Sequence, residues 1–232
     1  MSRITRKELK SDKFALEVEH SITFFEEHQK EITRYATIGL AVVVLVFGYT
    51  VYARREHSNR EGALAAAIRV QEAPVGAPGN GGLAFPNQEE KDKETLRVFS
   101  DLQAKYSGSS EGEIAGYYLG AIKADQGKLA EAEKFFSGVA EKGDAKYASL
   151  AKLSLAQIYF ADGRDAQGEK TLRELMDHPT DFVSRAQAAI ALARFIGPKK
   201  PAEARKLLEP LRTEKGAVSQ VALGLIGELP PQ

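Results

Sequence analysis

The residues best suited to chemistry are four histidines, and their spacing builds no metal site. They are scattered along the chain at His20, His28, His57 and His178. Two zinc ligands on one helix face need a spacing such as His-x-x-x-His, which this chain lacks. The chain also has no cysteine, which excludes disulfides, thiolate metal sites and a cysteine nucleophile. We therefore predict no metal site, and we interpret His178 as a helix-end residue that complements the helix dipole.

Acidic and hydroxyl side chains form no catalytic constellation either. Glu131 with Glu133, and Asp162 with Asp165, fall near predicted turns and on outer helix faces, where carboxylates are normally solvated. The chain has no Gly-x-Ser-x-Gly elbow and no Gly-Lys-Ser/Thr phosphate loop. We predict no catalytic residues and no cofactor, so the remaining chemistry is non-covalent binding. That chemistry depends on the elements that present the side chains.

The first such element is a stretch of nineteen residues without charge, Tyr35 to Ala53, flanked by Arg34 and Arg54. As a helix it extends about 28 Å, close to the hydrocarbon thickness of a bilayer. Its length and the absence of a small-x-small cleavage pattern argue against a signal peptide. We predict a transmembrane helix over 35–53.

The residues before this helix carry information about orientation. The tail 1–34 holds seven basic residues, five of them in the first thirteen positions, and short basic tails tend to stay cytoplasmic. The close flanks favour the opposite orientation, because more basic residues follow the span than directly precede it. We favour a cytoplasmic tail. Residues 13–34 have an amphipathic pattern, typical of either a docking segment or a juxtamembrane helix.

Three segments follow the predicted span. Residues 54–73 are alanine-rich and predict a helical stalk or the first helix of a domain. Residues 74–87 contain three prolines and four glycines, which indicates a flexible connector. Residues 88–228 then form one soluble domain. With 32 basic and 32 acidic residues the chain is neutral, so we predict no nucleic-acid binding.

The soluble domain repeats itself every thirty-six residues. Each repeat has a small residue, a large apolar residue four positions later, and another apolar residue three positions after that. Close-packed helix pairs need this pattern, so each repeat is predicted to be a helix-turn-helix unit. No stretch shows sustained apolar-polar alternation, so we predict an all-α fold. The three columns are Ala132, Gly168 and Ala204; Phe136, Leu172 and Leu208; and Val139, Leu175 and Leu211.

Helix ends can also be predicted. We expect a capping box at Ser110 and Glu113, an N-cap at Asp144, and left-handed glycines at helix ends. The expected helix ends lie at Gly127, Gly143, Gly163, Pro179 and Gly197-Pro198.

The repeats resemble the tetratricopeptide repeat. Leu119-Gly120, Gly127, Ala132 and Phe136 stand at the offsets of that repeat, and Leu155-Ala156, Tyr159, Gly163 and Leu172 echo them. Lys123, Gly168 and Lys199 depart from its preferred residues. The resemblance implies a helix-turn-helix solenoid, which with the span predicted over 35–53 gives an all-α chain of one transmembrane helix followed by tetratricopeptide-like repeats.

The whole layout is similar to the YfgM-like family, ancillary subunits of the bacterial Sec translocon, with Phe24-Phe25-x-Glu27-x-x-Lys30 before the span. This resemblance implies a single-pass protein of the bacterial inner membrane, with a cytoplasmic N-terminus and a periplasmic repeat domain. The implied partners are translocon subunits, a membrane-anchored periplasmic chaperone and exported clients.

The register of the repeats predicts a groove lined by their first helices. Its apolar and aromatic character favours a hydrophobic segment or a partner helix as ligand. The same side chains could instead pack against neighbouring helices. The predicted partner-binding residues are Tyr117, Tyr118, Leu153, Gln157, Phe160 and Ile190, with Ile114, Ala121, Ala189 and Ala193 on the same face.

Three functions remain open at this point. The first is a membrane-anchored module that binds partner proteins of the cell envelope. The second is a structural organiser that self-associates through its repeats. The third is an enzyme with an unrecognised site, which the missing constellations disfavour.

Overall fold

A computed structural model describes residues 29–76 and 82–230, and it is helical throughout these ranges apart from turns and one isolated bridge. The chain divides into two compact units, residues 1–59 and 60–232. In the described residues, a 3₁₀ helix (Glu209–Thr213) separates α8 from α9. The α-helices are α1 (Gln29–Glu72), α2 (Gln88–Lys105), α3 (Ser110–Asp125), α4 (Leu129–Lys142), α5 (Ala145–Ala161), α6 (Asp165–Asp177), α7 (Arg185–Ile196), α8 (Pro201–Leu208) and α9 (Ala217–Glu228).

The first unit consists, in its described part, of the N-terminal portion of α1. This helix is long and apolar enough to cross a membrane. Its large side chains are exposed, including Tyr35, Leu45 and Phe47 at 70–72%. The amphipathic segment predicted over 13–34 lies mostly outside the described residues, and only its end, from Gln29, is seen as helix.

The second unit begins with the C-terminal part of α1, which packs into the core of the domain. Ala67 is 2% exposed and lies in one cluster with Phe99 of α2 and Leu119 of α3. The carboxylate of Glu111, in the first turn of α3, lies 3.3 Å from Nε of Arg60. Residues 60–72 therefore contribute to the same core as the repeats.

The ends of the Pro/Gly connector are paired with each other. Val75 and Phe85 form an isolated parallel bridge, in which the amide of Gly76 donates to the carbonyl of Phe85 at 2.8 Å. Residues 77–81 lie outside the described ranges. Within those ranges there is no strand, so the all-α fold is confirmed.

The helix pairs α3–α4, α5–α6 and α7–α8 are the three predicted repeats. The large apolar column is fully buried, with Phe136 at 2% and Leu172 and Leu208 at 0% exposure. The small column is buried as well, with Ala132 and Ala204 at 0%. The thirty-six-residue pattern is therefore confirmed as the packing pattern of the core.

Two glycines show why small residues recur between the helices. A Cβ added at Gly120 would lie 2.8 Å from the ring of Phe136, and one at Gly168 would lie 2.6 Å from the ring of Phe160. Real Cβ atoms do not approach other atoms this closely, so each glycine lets an aromatic ring fill the space between two helices.

The predicted helix ends are confirmed, but the left-handed conformation expected of Gly143 is wrong. Gly127 and Gly163 are left-handed at φ +73, and the carboxylate of Asp144 accepts from the amides of Lys146 and Tyr147. Gly143, however, has an extended conformation at φ −67. The helix ends there without the left-handed residue, and a Cβ at Gly143 would lie 2.6 Å from the carbonyl oxygen of Val139.

The cap of α3 is Ser109 rather than the predicted Ser110. The hydroxyl of Ser109 accepts from the amide of Gly112 at 3.2 Å and donates to the carbonyl of Tyr106 at 2.8 Å. The complete capping box of the domain's described part is instead at Ser184 and Gln187, before α7. The capping box predicted at Ser110 and Glu113 is therefore wrong. The turn that follows Tyr106 places Ser109, one residue earlier, at the N-cap.

Ion pairs join successive repeats at equivalent positions. The guanidinium of Arg164, in the turn before α6, donates to both carboxylate oxygens of Glu133 on α4 at 2.8 and 2.6 Å. One repeat later, Lys200 before α8 donates to Glu169 of α6 at 2.9 Å. Each pair links the second helix of one repeat to the second helix of the next.

We expect Glu133→Gln to lower the melting temperature of the full-length protein at pH 7. The hydrogen bond from Arg164 holds the pKa of Glu133 below its ordinary value of 4.5. A carboxylate whose pKa is lower in the folded than in the unfolded state stabilises the fold above its unfolded pKa, and this contribution is lost as the pH falls through its folded pKa. The deficit of the variant should therefore be constant near neutrality, begin to shrink as the pH falls below the unfolded pKa of about 4.5, and disappear once the pH is below the folded pKa.

Circular dichroism melts at several pH values measure this effect. Glu141→Gln, an exposed carboxylate on the same helix, is the matched control and should leave the melting temperature unchanged. A deficit that persists unchanged at low pH would mean that packing of the side chain, rather than its charge, stabilises the junction.

Candidate binding surface

Five aromatic side chains, Phe99, Tyr118, Tyr117, Tyr147 and Phe182, form a continuous row across α2, α3, α5 and the turn before α7. We call them the aromatic row. Tyr118 stacks on Phe99 with ring centroids 4.7 Å apart, and Tyr117 meets Tyr118 edge-on at 6.0 Å. Tyr117 also meets Tyr147 edge-on at 5.7 Å, and Tyr147 meets Phe182 in the same way at 5.4 Å. Such pairs prefer these geometries and hold one another in place.

Local hydrogen bonds fix the first turn of α5, which carries Tyr147, and the turn before α7, which carries Phe182. Tyr147 lies in the first turn of α5, and its amide is held by the cap residue Asp144 at 2.9 Å. Phe182 lies in a turn where the hydroxyl of Thr180 accepts from the amides of Phe182 and Val183. Ser149 of α5 and Thr180 share a hydrogen bond of 2.7 Å between their hydroxyls. The turn before α7 is thereby tied to α5.

The aromatic row is partly exposed to solvent. Tyr117, Tyr118 and Tyr147 are half-buried, and Phe182 is exposed at 38%. Desolvation is the main cause that raises the pKa of both Tyr118 and Tyr147. Tyr117 and Glu72 raise the pKa of Tyr118 further. The pKa of Tyr147 is raised further by Tyr118, Asp144 and Tyr117. The phenols are therefore neutral donors at physiological pH, lying against an apolar base.

A cavity of about 300 Å³ lies beside the row, between α3, α4 and α5. Ala121 and Gln157, two residues predicted to face the groove, both line it, together with Phe136. The ring of Phe136 also lies 5.6 Å from that of Tyr117, so this buried residue lines the cavity and contacts the row. The wall is mostly apolar, and Gln157 is an exposed amide at its edge.

The other predicted site residues lie further along the repeats. Phe160 stacks on Phe195 with ring centroids 4.3 Å apart, and Leu153 and Ile190 are half-buried against the core of α5 to α9. Ala189 and Ala193 were predicted on the groove face, and this is wrong because they are 3% and 1% exposed. Alanine at these positions lets α7 pack closely against its neighbours, which removes them from any free surface.

Sequence reasoning missed Tyr147 and Phe182. Tyr147 precedes the repeat positions of the groove, and Phe182 lies in a turn outside the repeated helices. The signal available in the sequence was the N-cap Asp144, which places Tyr147 in the first turn of α5. Nothing local to Phe182 indicates that its ring meets Tyr147.

Charged groups near the row include a cation already placed over an aromatic ring. Nζ of Lys146 lies 5.6 Å from the ring centroid of Phe182 and 3.1 Å from a carboxylate oxygen of Asp181. Within residues 29–76 and 82–230, no group of three or more histidine and acidic side chains is arranged to hold a metal ion. The surface is suited to non-covalent contact with apolar, aromatic and cationic groups.

These features define a class of protein, the helical repeat scaffold, whose members typically bind other proteins and carry no active site of their own. A family model described as a tetratricopeptide repeat-like domain matches residues 23–209, and the chain belongs to this family. No curated protein and no solved structure matches the chain.

Proposed function

We propose that this chain is a single-span protein of the bacterial inner membrane whose periplasmic repeat domain binds partner proteins. The partners are translocon subunits, a membrane-anchored chaperone or exported clients, and the protein is not an enzyme. The uncharged helix 35–53 supports the anchor, because its exposed apolar side chains match the bilayer in length and character. The basic N-terminal tail supports a cytoplasmic N-terminus.

The observation that carries the proposal is the aromatic row beside the apolar cavity. Aromatic side chains that are exposed to solvent on one edge and packed against apolar residues on the other contribute most to protein interfaces. They bury a large area with few rotatable bonds. Here the rings are already held by one another and by the capped ends of the helices. A partner segment would therefore meet a surface that is ordered before binding, which lowers the entropic cost of association.

A photo-crosslinking amino acid at position 157 tests the proposal in cells. Gln157 is exposed at the edge of the cavity, so the substitution leaves the core unchanged. We expect an irradiation-dependent adduct whose partner, identified by mass spectrometry, is a subunit of the export machinery or a periplasmic chaperone. Glu141 is the control position, because it is exposed on α4 and does not line the cavity.

The outcomes separate the candidate functions. Equal cross-linking from positions 157 and 141 contradicts a specific groove. An adduct between two copies of this chain supports the structural organiser instead of the partner-binding module.

One observation favours that second candidate. α9 exposes Val221 at 39% and Leu223 at 48%, and the helix has no basic residue. Terminal helices of repeat domains usually present a polar outer face to remain soluble. Self-association through these exposed residues would give an adduct between two copies from a photo-crosslinker at Val221, whereas self-association through the groove would give one from position 157.

A further inference from the structure

We propose that Tyr117, Tyr118 and Tyr147 form an aromatic site for the side-chain cation of a lysine or arginine supplied by the partner protein. The proposal rests on the proposed function and specifies the chemistry of the partner. It names the group that the aromatic row selects, and it predicts that the bound segment is basic as well as apolar.

The arrangement of the rings is the first argument. The ring of Tyr117 is inclined by 76° to that of Tyr118 and by 68° to that of Tyr147. Tyr117 is thus flanked edge-on by Tyr118 and Tyr147, and all three rings are only half-buried, so each keeps part of its surface in contact with solvent. A cation is attracted to the face of an aromatic ring within about 6 Å of its centroid, and several rings around one cation add their contributions.

The state of the phenol groups is the second argument. Within the described residues, no hydrogen bond uses the hydroxyls of Tyr117, Tyr118 or Tyr147, and none of these oxygens is buried without a partner. They therefore reach solvent and can accept a hydrogen bond from an ammonium or a guanidinium. Tyr118 stacks on Phe99 through one face and remains half-exposed.

Charge is the third argument. The carboxylate of Glu72 acts on Tyr118 and that of Asp144 acts on Tyr147, so two carboxylates lie near these rings. Lys146 is the cation placed at the end of the row, and it pairs with Asp181 while lying over Phe182. The three tyrosines thus combine partly exposed rings with two nearby carboxylates, which favours a cationic ligand over an acidic one.

A second aromatic residue of the domain shows the same chemistry completed internally. The guanidinium of Arg164 lies 4.5 Å from the ring centroid of Tyr159 and pairs with Glu133 and Asp162. At Tyr159 the cation belongs to the chain itself. At Tyr117, Tyr118 and Tyr147 we infer that the partner supplies it.

Fluorine NMR of the full-length chain labelled with 3-fluorotyrosine tests the inference. The protein is kept in maltoside micelles, whose uncharged head groups do not compete for the site. The probe is tetramethylammonium chloride, and sodium chloride at equal ionic strength is the control. The chain has 8 tyrosines, which can be assigned by single Tyr→Phe variants.

We expect saturable shifts of the Tyr117, Tyr118 and Tyr147 resonances with tetramethylammonium. The resonance of Tyr159 should not move, because its ring is already covered by Arg164. Glu72→Gln should weaken the apparent affinity about two- to five-fold, in line with a solvent-screened charge pair. Glu141→Gln, which removes an exposed carboxylate outside the row, should leave it unchanged.

Linear shifts, equal shifts with sodium chloride, or an affinity that Glu72→Gln does not alter would each overturn the inference. The measurement uses the folded wild-type protein, so it does not depend on the stability of any tyrosine variant. If the site fails this test while position 157 still cross-links to an export component, partner binding stands and only its selection of a basic side chain is wrong. If both tests fail, the partner-binding function is wrong as well.

Discussion

Replacing Phe136 with alanine is expected to destabilise the repeat domain by roughly 3–5 kcal/mol, the range found for large aromatic residues in well-packed cores. The ring is 2% exposed and fills the space between α3 and α4 at Gly120. It also supports Tyr117 of the aromatic row and forms part of the cavity wall. Its removal therefore leaves a cavity between α3 and α4 in a well-packed part of the core.

Urea unfolding of the full-length protein, followed by circular dichroism, measures this loss. Phe182→Ala is the matched control, because its ring is 38% exposed and lies in a turn. We expect the control to lose far less stability than Phe136→Ala. Similar losses for the two variants would mean that Phe136 is not a central core residue.

A double-mutant cycle isolates the contact between Phe136 and Gly120. Gly120→Ala places a methyl group 2.8 Å from the ring, and a buried ring has little room to move. In a Phe136→Leu background the smaller side chain leaves space for that methyl group. We expect Gly120→Ala to be destabilising in the wild type and much less so in the Phe136→Leu background, and equal effects would contradict a direct contact.

Much of the helical core could be predicted because its pattern is one-dimensional. The columns that contain Ala132, Phe136 and Val139 recur with a fixed period, and burial follows from that period alone. The errors arose where a single turn decides the outcome. Ser109 rather than Ser110 caps α3 because Tyr106 ends the preceding helix and bonds to Ser109, and Gly143 closes α4 through close packing against Val139.

The candidate site was less predictable than the core. Tyr117 and Tyr118 could be chosen from their repeat positions, but a repeat register does not specify which rings meet across helices. Tyr147 and Phe182 join them only because the hydrogen bond between Ser149 and Thr180 brings the turn before α7 onto α5. Such contacts are set by tertiary packing between residues more than thirty positions apart, which no local pattern encodes.

The second large effect expected is an all-or-none difference in the labelling of two single-cysteine variants in intact cells. Ser107→Cys, in the exposed turn before α3, should react fully with a membrane-impermeant maleimide. Ser11→Cys, in the basic tail, should react only after lysis. The chain has no native cysteine, so each signal comes from one position. Ser107 is preferred to Ser109, whose hydroxyl caps α3.

The physical reason lies in the two sides of the span. Charges cost about 2.5–3.5 kcal/mol each at the centre of a transmembrane helix, and 35–53 has none, so the helix can remain in the bilayer. Five basic residues in the first thirteen positions are expected to keep the short tail in the cytoplasm, because short basic tails tend to stay there while long domains translocate largely regardless of charge. Labelling of Ser11→Cys in intact cells, with Ser107→Cys protected until lysis, would reverse the orientation. The repeats would then face cytoplasmic partners, and the proposed periplasmic partners would be excluded.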